Sequence, residues 1–501
     1  MREEKESMQN RKVPELLSYM GIQLPGSGEM SNPVFTVSWQ DRRSSSGDAE
    51  RDFELGRKYC YGNGVPQDYV RAAGFLRKAA DKGSAGACFY LGAMYCQGEG
   101  TAQDYAEGAE WFRRASDLGD ALANCNLGFL YLNGKGVPQD YSAAFGWYMK
   151  AAEQGLPQAE AAVGSMYALG RGVKKDDAEA IKWYMRAAEK GYAHAEVVMG
   201  HWYLTGNWGT PDCEEAVRWF RKAAEQGYAD AELCLGRMYR DGSGVRQDYA
   251  VALSWLMKAA EQGLAQAETA VGDMYAFGRG VKKDGAEAVK WYLKAAEQGY
   301  APAEYAMGHR YRNGDGVTAD CEEAVRWFRK AAEQGYADAE LCLGQMYRDG
   351  RGVAKDEVMA AAWLRKAAEK GLPVAQVSLA LMYWKGPYIA QDEAESAEAA
   401  KWFLAAAEQG VPVAEGVISY MYHEGVGVKK DKEEAVRWLR KAAGHGDSAS
   451  QYNLGMSFME GDGVTKDVRE GLVWIQKAAE QGCPPAVSYM NDIRGGKDQK
   501  S

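Results

Sequence analysis

Several features that define common protein classes are missing from this chain of 501 residues. The N-terminal stretch MREEKESMQNRK is charged and lacks the apolar core of a secretory signal. No apolar run reaches the roughly 18 residues that a membrane-spanning helix needs, and no Asn-x-Ser/Thr sequon occurs. These absences predict a cytoplasmic protein without a membrane partner, and they leave signal-independent secretion open.

The chain also has fewer basic than acidic residues and contains few cysteines. The sequence has 60 Lys and Arg against 70 Asp and Glu, with a net charge of -10 and no basic block. Nucleic acid is therefore not expected as a partner, because phosphate-backbone binding needs concentrated positive charge. Nine cysteines in this length do not form a disulfide scaffold. Cys88 and Cys96 lie eight residues apart on one predicted helix, about 12 Å, which is too far for a disulfide.

Signatures of catalysis are missing as well. The chain contains no GxxxxGK[ST], HExxH or GxSxG motif. None of its five histidines pairs with a cysteine or another histidine at metal-ligand spacing. The sequence therefore predicts no catalytic residue, no metal, no cofactor and no enzyme activity.

The dominant feature of the chain is a repeat with a period of 36 residues. A tryptophan returns at that spacing through the middle of the chain and, after three extra residues, through its last part, and Phe75 occupies the same place in the first copy. This gives twelve copies, and a fixed period of such length is typical of a solenoid, in which each unit packs on its neighbours. The recurring tryptophans are Trp111, Trp147, Trp183, Trp219, Trp255, Trp291, Trp327, Trp363, Trp402, Trp438 and Trp474.

The stretch from Tyr228 to Gly263 shows how one copy should fold. Residues 230–241 have the apolar spacing of a helix, called helix A below. A Gly-x-Gly turn follows, and Asp248 is placed to cap helix B, which should end at Gly263. Gly236 lies in the middle of helix A, where glycine costs about 1 kcal/mol relative to alanine. We therefore expect helix A to approach helix B closely at this glycine.

The segment LGRMYRDGSGVRQD (235–248), followed by Ala252, Trp255, Ala259-Ala260 and Gly263, resembles the Sel-one-like repeat (SLR) family, which is related to the tetratricopeptide repeat. The resemblance implies an all-α protein, a right-handed α/α superhelical solenoid of twelve helix-turn-helix repeats plus a C-terminal half-repeat cap. It also implies that the A helices line a concave groove. Many members are bacterial, and they resemble one another in acting as scaffolds or adaptors.

The organisation along the chain follows from the repeat. We expect a mobile N-terminal tail over residues 1–47, twelve repeats over 48–482, and a half-repeat cap with a tail over 483–501. Residues 212–245 and 320–353 are nearly identical and lie 108 residues apart, so repeats 4–6 are interpreted as a copy of repeats 7–9. Trp208 and Tyr388 interrupt the Gly-x-Gly loops of two repeats. They are interpreted either as tolerated loop variation or as residues that contact a partner.

The predicted binding surface is the stripe formed by the sixth, tenth and thirteenth positions of each repeat, which vary while the packing positions do not. Its central part is basic and its last part is aromatic. An alternative is that the arginines pair within the chain, with Asp241, Asp349 or the recurrent glutamates Glu232 and Glu340. The candidate groove residues are His201, Arg237, Arg240, His309, Arg312, Arg348, Trp384, Tyr420 and Tyr452.

These observations predict a non-catalytic, monomeric protein–protein interaction scaffold or adaptor. It would bind a peptide or protein segment in the groove, and the central arginines would suit an acidic or phosphorylated segment. One alternative is a secreted, host-directed effector that uses the same groove. Another is the β-lactamase-like hydrolase activity credited to cysteine-rich relatives, but no serine in this chain is followed by a lysine three residues later.

Overall fold

The computed structural model describes residues 47–206, 210–384 and 392–498, and every regular element within these ranges is a helix. Twenty-five helices follow one another, as the sequence predicts for an all-α repeat solenoid. The helices are α1 (Gly47–Tyr61), α2 (Tyr69–Asp81), α3 (Ala85–Gln97), α4 (Tyr105–Asp117), α5 (Ala121–Asn133), α6 (Tyr141–Glu153), α7 (Pro157–Leu169), α8 (Asp177–Glu189), α9 (Ala193–Thr205), α10 (Cys213–Glu225), α11 (Ala229–Asp241), α12 (Tyr249–Glu261), α13 (Ala265–Phe277), α14 (Gly285–Glu297), α15 (Ala301–Asn313), α16 (Cys321–Glu333), α17 (Ala337–Asp349), α18 (Glu357–Glu369), α19 (Pro373–Tyr383), α20 (Glu393–Glu408), α21 (Pro412–Glu424), α22 (Lys432–Gly444), α23 (Ser448–Glu460), α24 (Val468–Glu480) and α25 (Pro484–Asp498).

The helices are grouped in consecutive pairs. Each odd-numbered helix from α1 to α23 is the A helix of a repeat, and the following even-numbered helix is its B helix. Most of them have 13 residues, but α20 of repeat 10 has 16. The three extra residues of that repeat therefore lengthen its B helix. Helix α25 packs on α24 in the place of a further A helix, as the predicted half-repeat cap requires.

The chain divides into two compact units. Unit 1 comprises the described residues up to Ala267 together with Arg279–Lys282. Unit 2 comprises Glu268–Gly278 together with the described residues from Lys283 onwards. Repeats 1–6 lie in unit 1, repeats 8–12 lie in unit 2, and the boundary runs through repeat 7.

Where the loop between the A and B helices carries Gly-x-Gly, as in repeat 6, the two glycines serve different purposes. Gly242 ends α11 in the left-handed conformation, with φ 70°, and its N–H donates to the carbonyl of Met238. Gly244 also has a positive φ, and a Cβ atom there would lie 2.1 Å from the carbonyl oxygen of Cys213. The second glycine therefore allows the loop of one repeat to contact the start of the preceding B helix.

The predicted N-caps of the B helices form, but at Asp212 the helix returns no side-chain hydrogen bond to the capping residue. The Asp212 side chain accepts a hydrogen bond of 2.9 Å from the backbone N–H of Glu215, as an N-cap should. The Glu215 carboxylate binds Arg218 at 2.9 Å and does not return to Asp212, whose own N–H donates to the carbonyl of Tyr203. Glu215 therefore does not close a reciprocal capping box with Asp212.

The glycine inside ten of the twelve A helices permits close packing, although not against the tryptophan; Ala380 and Ser419 take its place in repeats 10 and 11. A Cβ atom on Gly236 would lie 2.7 Å from Cγ of Leu256, the residue after Trp255. The tryptophans pack beside this contact as core residues, buried or half-buried, and a lysine or arginine lies over the ring in most repeats. For Trp255 the Lys258 ammonium is 3.9 Å from the ring centroid.

A buried glutamate near the start of many A helices joins the two helices of its repeat. The Glu232 carboxylate accepts 2.8 Å from the Gln262 side chain at the end of α12. Glu340 accepts 2.6 Å from the Lys370 ammonium in the same way. These glutamates are therefore occupied, and the predicted alternative that they pair with the central arginines is wrong. The buried glutamates are Glu160, Glu196, Glu232, Glu268, Glu304, Glu340 and Glu415.

Some predictions fall on residues that the structure does not describe. The N-terminal tail up to residue 46, Trp208 in the loop of repeat 5 and Tyr388 in the loop of repeat 10 all lie outside the described ranges.

Candidate functional site

The open face of the A helices is not quite the predicted stripe. In α11 the side chains that stay partly or fully exposed along one line are Asp230, Cys234, Arg237 and Asp241, at i, i+4, i+7 and i+11. These are the third, seventh, tenth and fourteenth positions of the repeat. The open face therefore shares the tenth position with the prediction but is rotated towards the third and seventh.

In repeats 2–4 of unit 1 the predicted stripe is buried, so the expectation of an open groove there is wrong. The mid-helix glycine brings each A helix so close to its B helix that the flanking positions also pack on that helix. Phe89, for example, lies 5.5 Å from Phe112 between ring centroids. The buried stripe residues of these repeats are Phe89, Ala93, Cys96, Cys125, Phe129, Leu132, Ala161, Ser165 and Ala168.

His201 in α9 lies in the core of unit 1. Only 2% of its surface is exposed, and its ring packs edge-on against Phe220 at 4.9 Å. Nε2 of His201 is 3.6 Å from Sγ of Cys234 on the next A helix. Burial, with a smaller effect of Arg237, lowers the pKa of His201 to about 3, so the ring is neutral at physiological pH.

The two arginines of α11 differ in their surroundings. Arg237 is half-buried beside His201. Arg240 makes a two-pronged ion pair with Asp241, the next residue, at 2.8 and 3.0 Å. The internal pairing that the sequence left as an alternative therefore occurs at Arg240.

Arg348 in α17 repeats this arrangement in unit 2. Its Nε donates to the Asp349 carboxylate at 2.9 Å, and this contact is the main cause of the lowered pKa of Asp349. Arg348 and Asp349 are each about one third exposed or more. Such a surface pair contributes at most about 1 kcal/mol, so a stronger acidic ligand could displace it.

His309 and Arg312 in α15 form a different cluster. The Arg312 Nη2 donates 2.9 Å to Nδ1 of His309, and Nε2 of His309 lies 3.9 Å from Sγ of Cys342. The His309 ring packs edge-on against Phe328 at 5.2 Å and against Tyr305 at 4.5 Å. Burial first, then Arg312 and Arg310, lower the pKa of His309 to about 4.

The aromatic residues of the last repeats lie along the A helices of unit 2. Trp384 directly follows α19, is half-buried and packs edge-on against Phe403 at 5.6 Å. Tyr420 in α21 is half-buried in the core formed by repeats 10 and 11. Tyr452 in α23 is half-buried and packs against the cluster that joins repeat 12 to the cap.

The structure adds two residues that the sequence did not suggest, Val374 in α19 and Val413 in α21, to Leu381 in α19, which lies on the predicted stripe. Val374, Leu381 and Val413 are 56%, 49% and 62% exposed. Val374 and Val413 hold the third position of repeats 10 and 11, and Leu381 holds the tenth position, as Tyr420 does in the next repeat. The signal in the sequence for the two valines was an apolar residue directly after a helix-starting proline, where repeats 4, 6, 7 and 9 carry Gln or Asp. We call Val374, Leu381, Val413 and Tyr420 the apolar A-face.

The described residues offer little for metal or thiol chemistry. No group of three or more metal-ligating side chains occurs in residues 47–206, 210–384 and 392–498. The nine cysteines are free, and burial raises the pKa of Cys234 and of Cys125 to about 12. Over the same ranges no helix is long and apolar enough to cross a membrane.

Comparison with known proteins matches this repeat directly. The Sel1 repeat family model matches twelve successive segments, at residues 52–84, 85–120, 121–156, 157–192, 193–228, 229–264, 265–300, 301–336, 337–372, 373–411, 414–447 and 448–483. Among curated proteins none matches significantly.

Two solved structures from bacteria are similar. One is c5321, a protective antigen present in uropathogenic Escherichia coli strains that displays an SLR fold, with 37% identity over 85% of this chain and 90% of that one and a TM-score of 0.62. The other is a Sel1 repeat protein from Oxalobacter formigenes, with 35% identity over 70% of this chain and 99% of that one and a TM-score of 0.49. The in-phase match over twelve repeats and the similarity to c5321 show that this chain belongs to the Sel1 repeat family, whose solenoid fold is typical of protein–protein interaction scaffolds.

Proposed function

We propose that this protein is a non-catalytic scaffold that binds an extended protein segment on the A helices of unit 2. The observation that carries the proposal is the apolar A-face, where three aliphatic side chains are about half exposed or more on neighbouring A helices. Contiguous exposed apolar side chains on a folded surface are typical of sites that bind another protein.

The contrast with unit 1 supports this location. At the tenth position, repeats 2–5 carry side chains that are buried against their own B helix or the next A helix. At the same position in repeat 10, Leu381 is left about half exposed. Fully burying a leucine or valine side chain is worth about 1.5 to 3 kcal/mol, so covering the exposed half of each would contribute roughly half of that.

The segment is proposed to be acidic or phosphorylated at one point. Unit 2 carries His309, Arg312 and Arg348 on the A helices that precede the apolar A-face. A guanidinium binds a carboxylate or a phosphate through two parallel hydrogen bonds, which fixes the register of a bound chain as well as adding affinity. The predicted aromatic residues Trp384, Tyr420 and Tyr452 would then contact the apolar part of the same segment.

A second candidate concerns the place of action. The similar protein c5321 is described as a protective antigen of uropathogenic strains. That description favours a secreted, host-directed version of the same binding function as the alternative. Fractionation of the source cells and their medium, with detection of the chain by antibody, separates the two: recovery from the medium without cell lysis supports the secreted form.

A retention experiment with two matched variants tests the scaffold function. The full chain is immobilised, lysate of the source organism or of a host cell is passed over it, and retained proteins are identified by mass spectrometry. The double variant Leu381→Asp with Val413→Asp should lose the specific partner, because a charge on the apolar A-face opposes its burial. The control is Val358→Asp, because Val358 is 80% exposed on helix α18, a B helix.

The outcomes separate binding from folding. Both variants should keep the helical spectrum and melting temperature of the parent chain, since the altered side chains are already exposed. The proposal is wrong if the double variant retains the same proteins in the same amounts, or if Val358→Asp loses them equally.

A further inference from the structure

Arg312 differs from the other arginines of the A-helix surface in unit 2. Its Nη2 donates 2.9 Å to the His309 ring, its Nε reaches the side-chain oxygen of Asn313 at 3.5 Å, and its guanidinium lies 5.8 Å from the centre of the Phe328 ring. In the described parts of the chain no carboxylate oxygen lies within 4 Å of it. Arg348, one repeat further on, is held by Asp349 at 2.9 Å. Arg312 is therefore a half-buried cation whose direct contacts, with His309, Asn313 and Phe328, are all with neutral groups.

The hydrogen bond from Arg312 determines the tautomer of the His309 ring. Because Nδ1 accepts from the guanidinium, the ring proton is on Nε2, which points towards Sγ of Cys342 at 3.9 Å. The ring is neutral at physiological pH and does not add a second charge. The guanidinium of Arg312 therefore supplies the positive charge within the cluster, and it retains unused N–H donors. Two other charges lie near: Arg310, which after burial and Arg312 helps to lower the pKa of His309, and Asp338 on the next A helix, which after burial helps to raise the pKa of Tyr305 and of Cys342.

The chain contains an internal copy of this cluster that lacks a cation at the position of Arg312. In unit 1, 108 residues earlier, His201, Cys234 and Phe220 keep the same arrangement, with 3.6 Å between the histidine and the thiol. Leu204 stands in place of Arg312, and Val197 in place of Tyr305. The cation beside His201 is instead Arg237, on the next A helix, where the copy in unit 2 has Gln345. The His201 ring is 2% exposed, whereas His309 is only partly buried. Arg312, Tyr305 and the opening to solvent therefore occur together only in the second of these two copies.

We propose that Arg312, with Tyr305 and His309 beside it, is the receptor for an oxyanion, the carboxylate or phosphoryl group of the segment bound to unit 2. This inference rests on the proposed function and names the residue that reads the acidic group. A guanidinium that is shielded on one side by an aromatic ring and lacks a carboxylate partner has the planar fork that oxyanions match. Arg348 is a weaker receptor because an incoming anion must first displace Asp349.

The spacing of the site sets the register of the ligand. Arg312 lies on the A helix of repeat 8, and Leu381 of the apolar A-face lies on that of repeat 10, two helices away. Helices in side-chain contact are about 10 Å apart, so the two residues are separated by about 20 Å. An extended chain advances about 3.3 Å per residue, so the acidic residue should be about six positions from the apolar anchor of the segment.

The test uses small probes and the five histidines of the full chain as reporters. The ring carbons of histidine are labelled with ¹³C, and N-acetyl-phosphoserine amide and N-acetyl-aspartate amide are titrated separately at pH 7. The probe that binds should shift the His309 signals with a Kd on the order of 1 to 10 mM, as for a few hydrogen bonds. A response to phosphoserine alone identifies a phosphoryl site, and a response to both identifies a general carboxylate and phosphoryl site.

Three variants make the test specific. Arg312→Leu introduces leucine, the residue that the internal copy carries at the equivalent position 204, so this variant should fold. It should abolish the His309 shift. Arg312→Lys keeps the charge without the fork and should weaken binding at least tenfold. The control is Arg326→Leu, because Arg326 is 68% exposed on α16, the B helix of the same repeat, and it should leave the His309 response unchanged. The inference is overturned if neither probe shifts His309, or if the shift survives in Arg312→Leu.

The partner retained by the scaffold separates this inference from the proposed function. If Leu381→Asp with Val413→Asp loses the partner and Arg312→Leu keeps it with undiminished affinity, the scaffold function stands and the oxyanion receptor is wrong. If Arg312→Leu weakens retention at least tenfold and Arg326→Leu does not, both are supported. If the apolar variant keeps the partner while the probes still shift His309, the receptor stands and the proposed location of the segment is wrong.

Discussion

Two glycines in repeat 3 should respond in opposite ways to the same substitution. Gly128 lies inside helix α5, and a Cβ atom there would be 2.8 Å from two atoms of the Tyr148 ring and 2.9 Å from a third. Gly146 lies inside helix α6, and a Cβ atom there would meet nothing within 4 Å. Alanine at each position tests whether the mid-helix glycine of the repeat is required for packing.

The expected magnitudes follow from two competing effects. Alanine is favoured over glycine in a helix by about 1 kcal/mol, so Gly146→Ala should stabilise repeat 3 by about 0.5 to 1 kcal/mol. At Gly128 the same gain is opposed by overlap with Tyr148, which is 1% exposed and has no room to move aside. Overpacking costs about 1 to 3 kcal/mol, and ordinary carbon contacts are about 3.5 to 4.0 Å. We expect Gly128→Ala to lose about 1 to 2 kcal/mol net.

Hydrogen exchange followed by mass spectrometry measures this locally. In a solenoid each repeat contacts only its neighbours, so the change should centre on repeats 2–4. Peptides from α5 and α6 should exchange about tenfold faster in Gly128→Ala, since 1.4 kcal/mol is a factor of ten, and severalfold more slowly in Gly146→Ala. Equal protection in the two variants would refute the reasoning, because it would mean that α5 does not need a glycine against Tyr148.

Three further outcomes are expected. Trp255→Ala should cost about 3 kcal/mol, at the low end for large aromatics because the ring is only half-buried, and amide exchange should rise mainly in repeats 5 and 6 rather than evenly along the chain. Gln262→Ala should cost about 1 to 3 kcal/mol by leaving buried Glu232 without its donor. Because burial raises the pKa of Glu232, the protonated form is tolerated in the fold, so thermal melts should show a larger loss at pH 8 than at pH 5; an equal loss at both would contradict this. His423 has a raised pKa, chiefly through its hydrogen bond to Asp462, so its contribution to stability is present below its unfolded pKa and disappears as pH rises through the folded value. His423→Gln should therefore lower the melting temperature by more at pH 6 than at pH 8.5. The loss in the free energy of unfolding should stay below about 1 kcal/mol, because the pair is partly exposed.

Much of this structure could be predicted from the sequence because the repeat is local. The helix ends depend on short-range hydrogen bonds, such as the Asp248 side chain accepting from Ala250 and Val251, and on glycines in the left-handed conformation, such as Gly242. The period of 36 residues predicts that each copy packs on the next. This prediction is strong because the same residues return in phase in twelve copies. The all-α fold, the pairing of helices and the family follow from these regularities alone.

The candidate site was less accessible from sequence because it depends on which side chains meet across repeats. Periodicity assigned the sixth and thirteenth positions to an open stripe, but the close approach of each A helix to its B helix buries them in repeats 2–4, as at Phe89. Arg240 and Arg312 both hold the thirteenth position of their repeats, but their partners differ. Arg240 is paired with the carboxylate of the next residue, Asp241, whereas Arg312 donates to the neutral ring of His309.

The same dependence on tertiary contacts separates two of the predicted site residues. His201 and His309 hold equivalent positions, yet His201 is buried in the core and His309 is only partly buried, with Arg312 bonded to its ring. The sequence by itself determined the helices, their order and the repeat, since these rest on contacts between residues close in the chain. Only the tertiary structure decided which face stays open, because that depends on packing between helices, as between Phe89 and Phe112. It also decided which charges are already neutralised, because the conformation of each arginine determines whether it reaches the carboxylate beside it, as Arg240 reaches Asp241.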